Sequence, residues 1–296
     1  MPNSERSLIV GCGYLGSQVA AAWADQGRMT SAVTRLAERA AEFRAAGLLP
    51  VQLDLARPDD GDPVPDADVV LWSVGFDRTA GVPRERVWLD GLAWLINHLP
   101  TAPKRFIYTS STSVYGGNHD GASVTEETKV DPETDGGQCC VKAEQLARTE
   151  FARRFPETQV IVLRLAGIYG PDRLLRRVSD LQTRTPLPGH PDHWLNLIHV
   201  DDAVRMVDRV STQDGVPDVV NVVNSQTLTR RQYYTRLAEL VGAPPPVFTD
   251  AAASTTGRAR GGNRRVVSIY RDTLNVSFRF DDVREGLADA VRRTGL

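Results

Sequence analysis

The sequence predicts an α/β protein with a doubly wound parallel sheet of the Rossmann type and a smaller C-terminal lobe for the substrate. Two observations carry this prediction. A short apolar run at residues 8–10 is followed by three glycines spaced G-x-G-x-x-G at residues 11–16, and a helical pattern begins at once. Apolar strands and helices then alternate at a spacing that implies parallel βαβ units.

The glycine-rich turn is the first candidate site. In such a turn Gly11 allows the tight bend, Gly13 lets a pyrophosphate approach the backbone, and Gly16 lets the helix lie close to the strand. The free N–H groups and the dipole of the helix then attract the anion. Glycine-rich turns also occur where only the backbone conformation requires them. Here the flanking strand and helix favour a dinucleotide site, which we expect to include Tyr14 and Leu15.

The other elements follow in chain order. Strands are expected at residues 29–34, 49–53, 69–73, 105–109, 160–165 and 219–223. Helices are expected at residues 16–26, 36–46, 83–99, 139–155, 229–241 and 281–293. Prolines and small residues break the alternation after residue 171. We therefore expect a Rossmann domain at residues 1–170, to which residues 195–224 return, and a substrate lobe at residues 171–296.

The composition is that of an ordinary globular protein, with 296 residues, 41% of them hydrophobic and 24% charged. The net charge of −2 lacks the basic excess that nucleic acids or membrane surfaces require. No apolar run has the length of a membrane span. Three cysteines, Cys12, Cys139 and Cys140, suit neither a disulfide framework nor a metal site, so we expect a cytoplasmic protein without metal.

The end of the second predicted strand indicates which dinucleotide binds. An NAD site usually has an acidic residue there, whereas this chain has Arg35. A guanidinium attracts a 2′-phosphate and cannot accept a hydrogen bond from a hydroxyl, so we expect NADP rather than NAD, with Arg39 as support. The alternative is that Arg35 only begins a solvated helix. We also assign three residues after the third and fourth strands to the cofactor site: Asp54, Ser73 and Gly75.

Further motifs lie at residues 109–116, 163–171 and 198–202, which read TSSTSVYG, LRLAGIYGP and IHVDD. Together with the glycine-rich turn, they resemble the extended short-chain dehydrogenase/reductase superfamily in its NAD-dependent epimerase/dehydratase branch. The tail, with residues 263–266 and 284–287, is similar to an atypical subgroup of these proteins. The resemblance implies an NAD(P)-dependent oxidoreductase or epimerase/dehydratase-like enzyme with a small polar, sugar-derived substrate. It also makes a homodimer plausible.

The superfamily uses a serine at the end of the fifth strand and a Tyr-x-x-x-Lys motif on the next helix. By this resemblance Ser111 takes the serine position and Lys142 the lysine position. Gln138 then stands where the acid/base tyrosine is expected. A carboxamide has no proton that titrates near neutral pH, and the neighbouring cysteines fit packing better than catalysis. The second hypothesis is therefore a non-catalytic NADP-binding sensor or scaffold.

Further residues are candidates for the proton transfer and for substrate binding. Asp90 is a candidate acid/base group, although a solvated helix residue fits the same pattern. Tyr115 and Tyr169 are expected in loops above the nicotinamide, and Arg173 sits where relatives face the substrate. Four arginines among glycines suit either an anion clamp or a solvated loop: Arg258, Arg260, Arg264 and Arg265.

Overall fold

The computed structural model describes residues 5–77, 79–117, 119–173, 177–249 and 263–295. The chain forms two compact units. The first comprises Met1–Ser111, Asp135–Arg164 and Met206–Val220, and the second comprises Thr112–Thr134, Leu165–Arg205 and Asn221–Leu296.

A seven-stranded parallel sheet confirms the predicted fold class. Its strand order is β11-β7-β5-β4-β1-β2-β3. The register aligns Ile9 of β1 with Ala32 of β2 on one side and with Leu71 of β4 on the other. The strands are β1 Arg6–Val10, β2 Met29–Thr34, β3 Leu49–Gln52, β4 Val69–Trp72, β5 Arg105–Ser111, β6 Ser123–Val124, β7 Gln159–Leu165, β8 Gly167–Tyr169, β9 Trp194–Leu195, β10 Leu197–His199, β11 Val219–Val222, β12 Leu228–Thr229 and β13 Arg265–Val266.

Among the described residues, three helices lie outside the predicted ranges, at Val178–Gln182, Val200–Thr212 and Arg271–Leu274. The six predicted helices are all present, but two of them differ from the prediction. The predicted helix at 139–155 begins four residues earlier, and the one at 83–99 contains a π-helical segment at Arg86–Asp90. The helices of the described residues are α1 Tyr14–Asp25, α2 Ala37–Ala45, α3 Gly91–His98, α4 Asp135–Arg154, α5 Val178–Gln182, α6 Val200–Thr212, α7 Arg230–Leu240, α8 Arg271–Leu274 and α9 Val283–Thr294. None of them is long and apolar enough to cross a membrane.

The core of the first unit follows from the alternation of side chains along the central strands. Leu8 and Val10 of β1 face a buried cluster that includes Leu92 of α3 and Phe151 of α4. Ile9 points the opposite way, towards α1. Helices therefore cover both faces of the sheet, and the loops after the strands gather at one edge.

The second unit has its own core and three short two-stranded sheets, in which β8 pairs with β10, β9 with β12 and β6 with β13. Its buried cluster includes Tyr169 and side chains of α7 and α9, among them Leu237 and Leu287. The N-terminus of α7 is fixed by a capping box between Thr229 and Gln232.

Candidate functional site

The glycine-rich turn has the geometry that its spacing predicts. Gly11 has a φ of +97°, and a Cβ there would lie 2.5 Å from the backbone of Ser73, just after β4. A Cβ on Gly16 would lie 2.2 Å from the carbonyl oxygen of Gly11. These two glycines are therefore required for the chain to pass from β1 into α1.

Gly13 differs from the other two glycines. It is exposed, and a Cβ built on it would meet no atom within 4 Å. It is also the N-cap of α1, where no side chain caps the helix and no acidic residue occupies the first turn. The first N–H groups of a helix have no acceptor within the helix, and they attract anions. The open turn thus fits the pyrophosphate of a dinucleotide.

Two arginines lie beside this turn. Arg39 of α2 donates a 2.7 Å hydrogen bond to the carbonyl oxygen of Cys12 inside the turn. Arg35, directly after β2, donates a 2.6 Å hydrogen bond to Asp77 in the loop after β4. Hydrogen bonds from Thr79 and from Arg35 lower the pKa of Asp77 to about 2. Asp77 is therefore ionised at neutral pH and forms an ion pair with Arg35, although both side chains are close to half exposed.

The remaining residues assigned to the cofactor lie around the same edge of the sheet. The Ser73 N–H donates to the carbonyl oxygen of Val10, which joins the loop after β4 to the glycine turn. Gly75 is exposed two residues further on. Asp54 follows β3 and accepts a 3.0 Å hydrogen bond from the N–H of Ala56. Tyr14 and Leu15 form the first turn of α1, with Leu15 buried.

The end of β5 is tied to α4 by a buried polar cluster that the sequence alone did not indicate. Ser110 donates a 2.5 Å hydrogen bond to Oε1 of Glu144. Arg164 of β7 donates to both carboxylate oxygens, at 3.2 and 2.8 Å. The side chains of Glu144 and Arg164 are 7% and 8% exposed. This cluster fixes the face of α4 that lies against β5.

That face does not carry the residues assigned from the family motif. Gln138 and Lys142 are exposed on α4, whereas Cys140 and Glu144 are buried and Glu144 accepts the hydrogen bond from Ser110. Residues four apart share a helix face and residues two apart do not, so Gln138 and Lys142 point away from the face that packs on β5. Ser111 ends β5 as a partly buried residue.

The buried face of α4 offers no group that titrates near neutral pH. Going towards the N-terminus from Glu144, its next positions are Cys140 and Gly136. Burial raises the pKa of the Cys140 thiol to about 12, and it also raises the pKa of Cys139. Both cysteines therefore remain neutral thiols and pack as apolar groups.

The candidate proton carriers are distributed over both units. In the first unit Asp90 is exposed and pairs with Arg86 one turn earlier on the helix, at 3.2 Å. In the second unit Tyr115 is fully buried, and its hydroxyl donates a 2.8 Å hydrogen bond to Asn221. These contacts favour structural roles for Asp90 and Tyr115 over proton transfer.

The other residues assigned to the substrate also belong to the second unit. Tyr169 is fully buried and packs edge-on against His199, with ring centroids 5.2 Å apart. Burial raises the pKa of Tyr169 far above its ordinary value. A packing role in this core therefore fits Tyr169 better than contact with a ligand. Arg173 is exposed beside a turn in which its N–H donates to the carbonyl oxygen of Gly170.

At Arg264 the arginine-rich segment forms neither an anion clamp nor a solvated loop. This residue is buried, and its guanidinium donates to the carbonyl oxygens of Thr112, at 3.0 Å, and of Gly116. Arg264 thus anchors the turn that follows β5. Arg265 lies over the ring of Trp194, while Arg258 and Arg260 lie outside the described residues.

Within the described ranges, no three His, Cys, Asp or Glu side chains come together as metal ligands.

Comparisons with known proteins agree with this geometry. The model of the NAD-dependent epimerase/dehydratase family matches residues 7–223. Protein YeeZ of Escherichia coli K12 is 28% identical over 268 residues, which cover 88% of this chain and 92% of YeeZ.

Two solved structures are similar over nearly the whole chain. A functionally unknown conserved protein from Silicibacter pomeroyi is 26% identical with a TM-score of 0.76, covering 98% of this chain and 99% of that one. UDP-glucuronic acid 4-epimerase from Bacillus cereus, in complex with NAD, is 15% identical with a TM-score of 0.75, covering 98% of both chains. By the extent of the family match, the chain belongs to the NAD-dependent epimerase/dehydratase family.

Proposed function

We propose that this protein is an NADP-dependent oxidoreductase or epimerase/dehydratase-like enzyme that acts on a small polar, sugar-derived substrate through an altered active site. The observation that carries the proposal is the open space at Gly13, at the uncapped start of α1. Family membership supports the reaction class, and the UDP-sugar epimerase among the structural relatives supports a nucleotide sugar as substrate. We also place the chain in the atypical subgroup that its C-terminal motifs resemble.

The preference for NADP rests on the charges beside the turn. No acidic residue ends β2, and Arg35 follows it directly. The ion pair of Arg35 with Asp77 is exposed, and such pairs contribute little free energy. The 2′-phosphate of NADP can therefore displace Asp77 from Arg35. NAD has a neutral hydroxyl at this position, which cannot replace the carboxylate of Asp77.

The cofactor and the protein chain would supply different parts of the proposed reaction. When bound, NADP would supply the acceptor for a hydride from a substrate carbon that bears a hydroxyl, and the proton of that hydroxyl would have to leave. We assign Ser111, at the end of β5, to hydrogen-bond that hydroxyl. The proton then passes to an acceptor other than the usual tyrosine, because Gln138 stands at the tyrosine position and its carboxamide has no proton that titrates near neutral pH.

The same observation favours a second function, that of a non-catalytic NADP-binding sensor. Gln138 has no proton that titrates near neutral pH and Cys140 stays protonated, so neither can serve as a base at neutral pH. A protein of this kind would keep the cofactor site and lack turnover.

One experiment separates the two functions. The protein is saturated with NADP and incubated with UDP-glucose, UDP-glucuronate or simple sugars, while the absorbance of reduced nicotinamide and the NMR spectrum of the sugar are followed. For an enzyme we expect a burst of NADPH, or conversion of at least one sugar into an epimer, a dehydrated sugar or an oxidised sugar, and loss of these signals in Ser111→Ala. Tight NADP binding with neither signal would support the sensor. Absence of any dinucleotide binding would overturn both functions.

A further inference from the structure

The inference concerns Arg84, a residue that the sequence pattern did not single out. It lies between the loop after β4 and the N-terminal part of α4. Its guanidinium carbon is 4.4 Å from the ring centroid of Phe76 and 5.3 Å from that of Trp88. The two rings are themselves in edge-to-face contact, with centroids 6.3 Å apart. Two aromatic side chains therefore hold the guanidinium in one place.

Gly136 of α4 lies directly beside Arg84. A Cβ built on Gly136 would lie 3.5 Å from one terminal guanidinium nitrogen of Arg84 and 3.7 Å from its central carbon, at ordinary van der Waals distance. Arg84 thus fills the volume above the α4 face that lies one turn before Cys140.

The guanidinium lacks a partner among the described residues. Its Nε is shielded from solvent and has no hydrogen-bond acceptor. Glu85 and Asp135, the carboxylates nearest in sequence to Arg84 and Gly136, are exposed, and neither forms an ion pair with it. A partly desolvated charge without an acceptor is costly, and an oxyanion is the group that relieves it.

The local backbone is also unusual at this point. The π-helical segment Arg86–Asp90 begins two residues after Arg84 and carries Trp88. Such segments are rare and are often found at functional sites. Phe76 lies four residues after the end of β4, at the same edge of the sheet as the glycine turn.

We propose that Arg84, held by Phe76 and Trp88 above Gly136, binds a carboxylate of the substrate. Aromatic contacts use the face of a guanidinium and leave its edge free, and that edge matches a planar carboxylate with two parallel hydrogen bonds. The substrate is therefore an acid, such as a uronate sugar. This inference rests on the proposed function only for the position of the substrate beside the cofactor.

The test compares two ligands that differ by one carboxylate. UDP-glucuronate and UDP-glucose are titrated calorimetrically into the NADP-loaded protein. We expect UDP-glucuronate to bind about ten- to a hundredfold more tightly in the wild type. Arg84→Gln should remove this ratio, and Arg84→Lys should restore only part of it, because an ammonium lacks the planar fork. An unchanged ratio in Arg84→Gln, or equal binding of both ligands to the wild type, would overturn the proposal.

Arg86→Gln is the matched control. Arg86 is an exposed arginine of the same segment that already pairs with Asp90, so its loss should leave the ratio intact. An equal effect of Arg86→Gln would mean that general charge, and not the site at Arg84, sets the ratio.

A second readout does not depend on turnover or on the cofactor. The Nε–H resonance of Arg84, assigned by its loss in Arg84→Lys, is followed while sodium malonate, sodium phosphate or NADP is added. A shift with malonate supports the carboxylate site even if no dinucleotide binds. Failure of dinucleotide binding would contradict only the proposed function. A shift with NADP alone would assign the guanidinium to the cofactor and contradict the inference, as would no shift with malonate or UDP-glucuronate.

Discussion

The hydroxyl of Ser110 donates a hydrogen bond to the carboxylate of Glu144, and this contact sets how α4 is rotated against β5. Because Glu144 faces Ser110, the positions one and two turns before it, Cys140 and Gly136, share that face. Arg84 then occupies the space above Gly136. One buried hydrogen bond thus decides which residues of α4 lie beside the end of β5.

The first prediction concerns the stability that this cluster supplies. Glu144→Gln leaves the guanidinium of Arg164 buried without its counterion, and breaking a buried pair in this way costs about 3–5 kcal/mol. Urea unfolding measures the change in the free energy of unfolding. Glu150→Gln, on the same helix but in a solvent-facing pair with Arg153, should cost less than about 1 kcal/mol. Equal losses in the two variants would contradict the account.

The second prediction concerns cofactor preference. Arg35→Ala should weaken NADPH binding about tenfold or more and leave NADH binding nearly unchanged, because only NADPH carries the 2′-phosphate. Asp77→Asn removes the charge that competes for Arg35 and should tighten NADPH binding. Calorimetric titration of both cofactors checks this. A wild type that prefers NADH, or weaker NADPH binding in Asp77→Asn, would refute the role given to Arg35.

The third prediction concerns pH. Burial lowers the pKa of His199 to about 4, whereas an unfolded histidine titrates near 6.5. The folded protein therefore keeps the ring neutral, and this stability is complete above about pH 6.5 and is lost as the pH falls towards 4. The charged groups around His199 have opposite effects on its pKa. Asp201 and Asp289 raise this pKa, whereas Arg293 and Arg279 lower it.

The measurement is the melting temperature between pH 7 and pH 4. It should fall more steeply in the wild type than in His199→Gln, which has no ring to protonate. His98→Gln is the control, because His98 is exposed and its removal should leave the slope of the wild type unchanged. Parallel slopes for the wild type and His199→Gln would exclude His199 as the source.

The fold was predictable because its signals are local. The G-x-G-x-x-G spacing and the alternation of strands with helices lie within short windows, and the sheet confirms them. The start of α4 was missed because Gly136 and Gly137 are poor helix formers that conceal the first turn. The π-helical segment has no sequence signature of its own.

The candidate site was harder to predict because its partners are distant in sequence. Residues four apart share a helix face, so Gln138 lies with Lys142 and Cys140 lies with Glu144, and only the contact with Ser110 shows that the second face packs on β5. The roles of Gln138 and Lys142 stay predictions. Arg264 lies 148 residues from the carbonyl of Gly116 that it binds. The roles of Ser111 and Arg173 stay predictions.

The most direct test of the account is NADPH binding by Gly13→Val. Gly13 has φ −79° and ψ −151°, so its backbone is not in the left-handed region that favours glycine, and a Cβ there meets no atom within 4 Å. The variant should therefore keep the melting temperature of the wild type while its side chain fills the space assigned to the pyrophosphate. We expect calorimetry to show NADPH binding in the wild type and none in Gly13→Val. Binding of NADPH to Gly13→Val with the affinity of the wild type would contradict the assignment of this turn as the cofactor site.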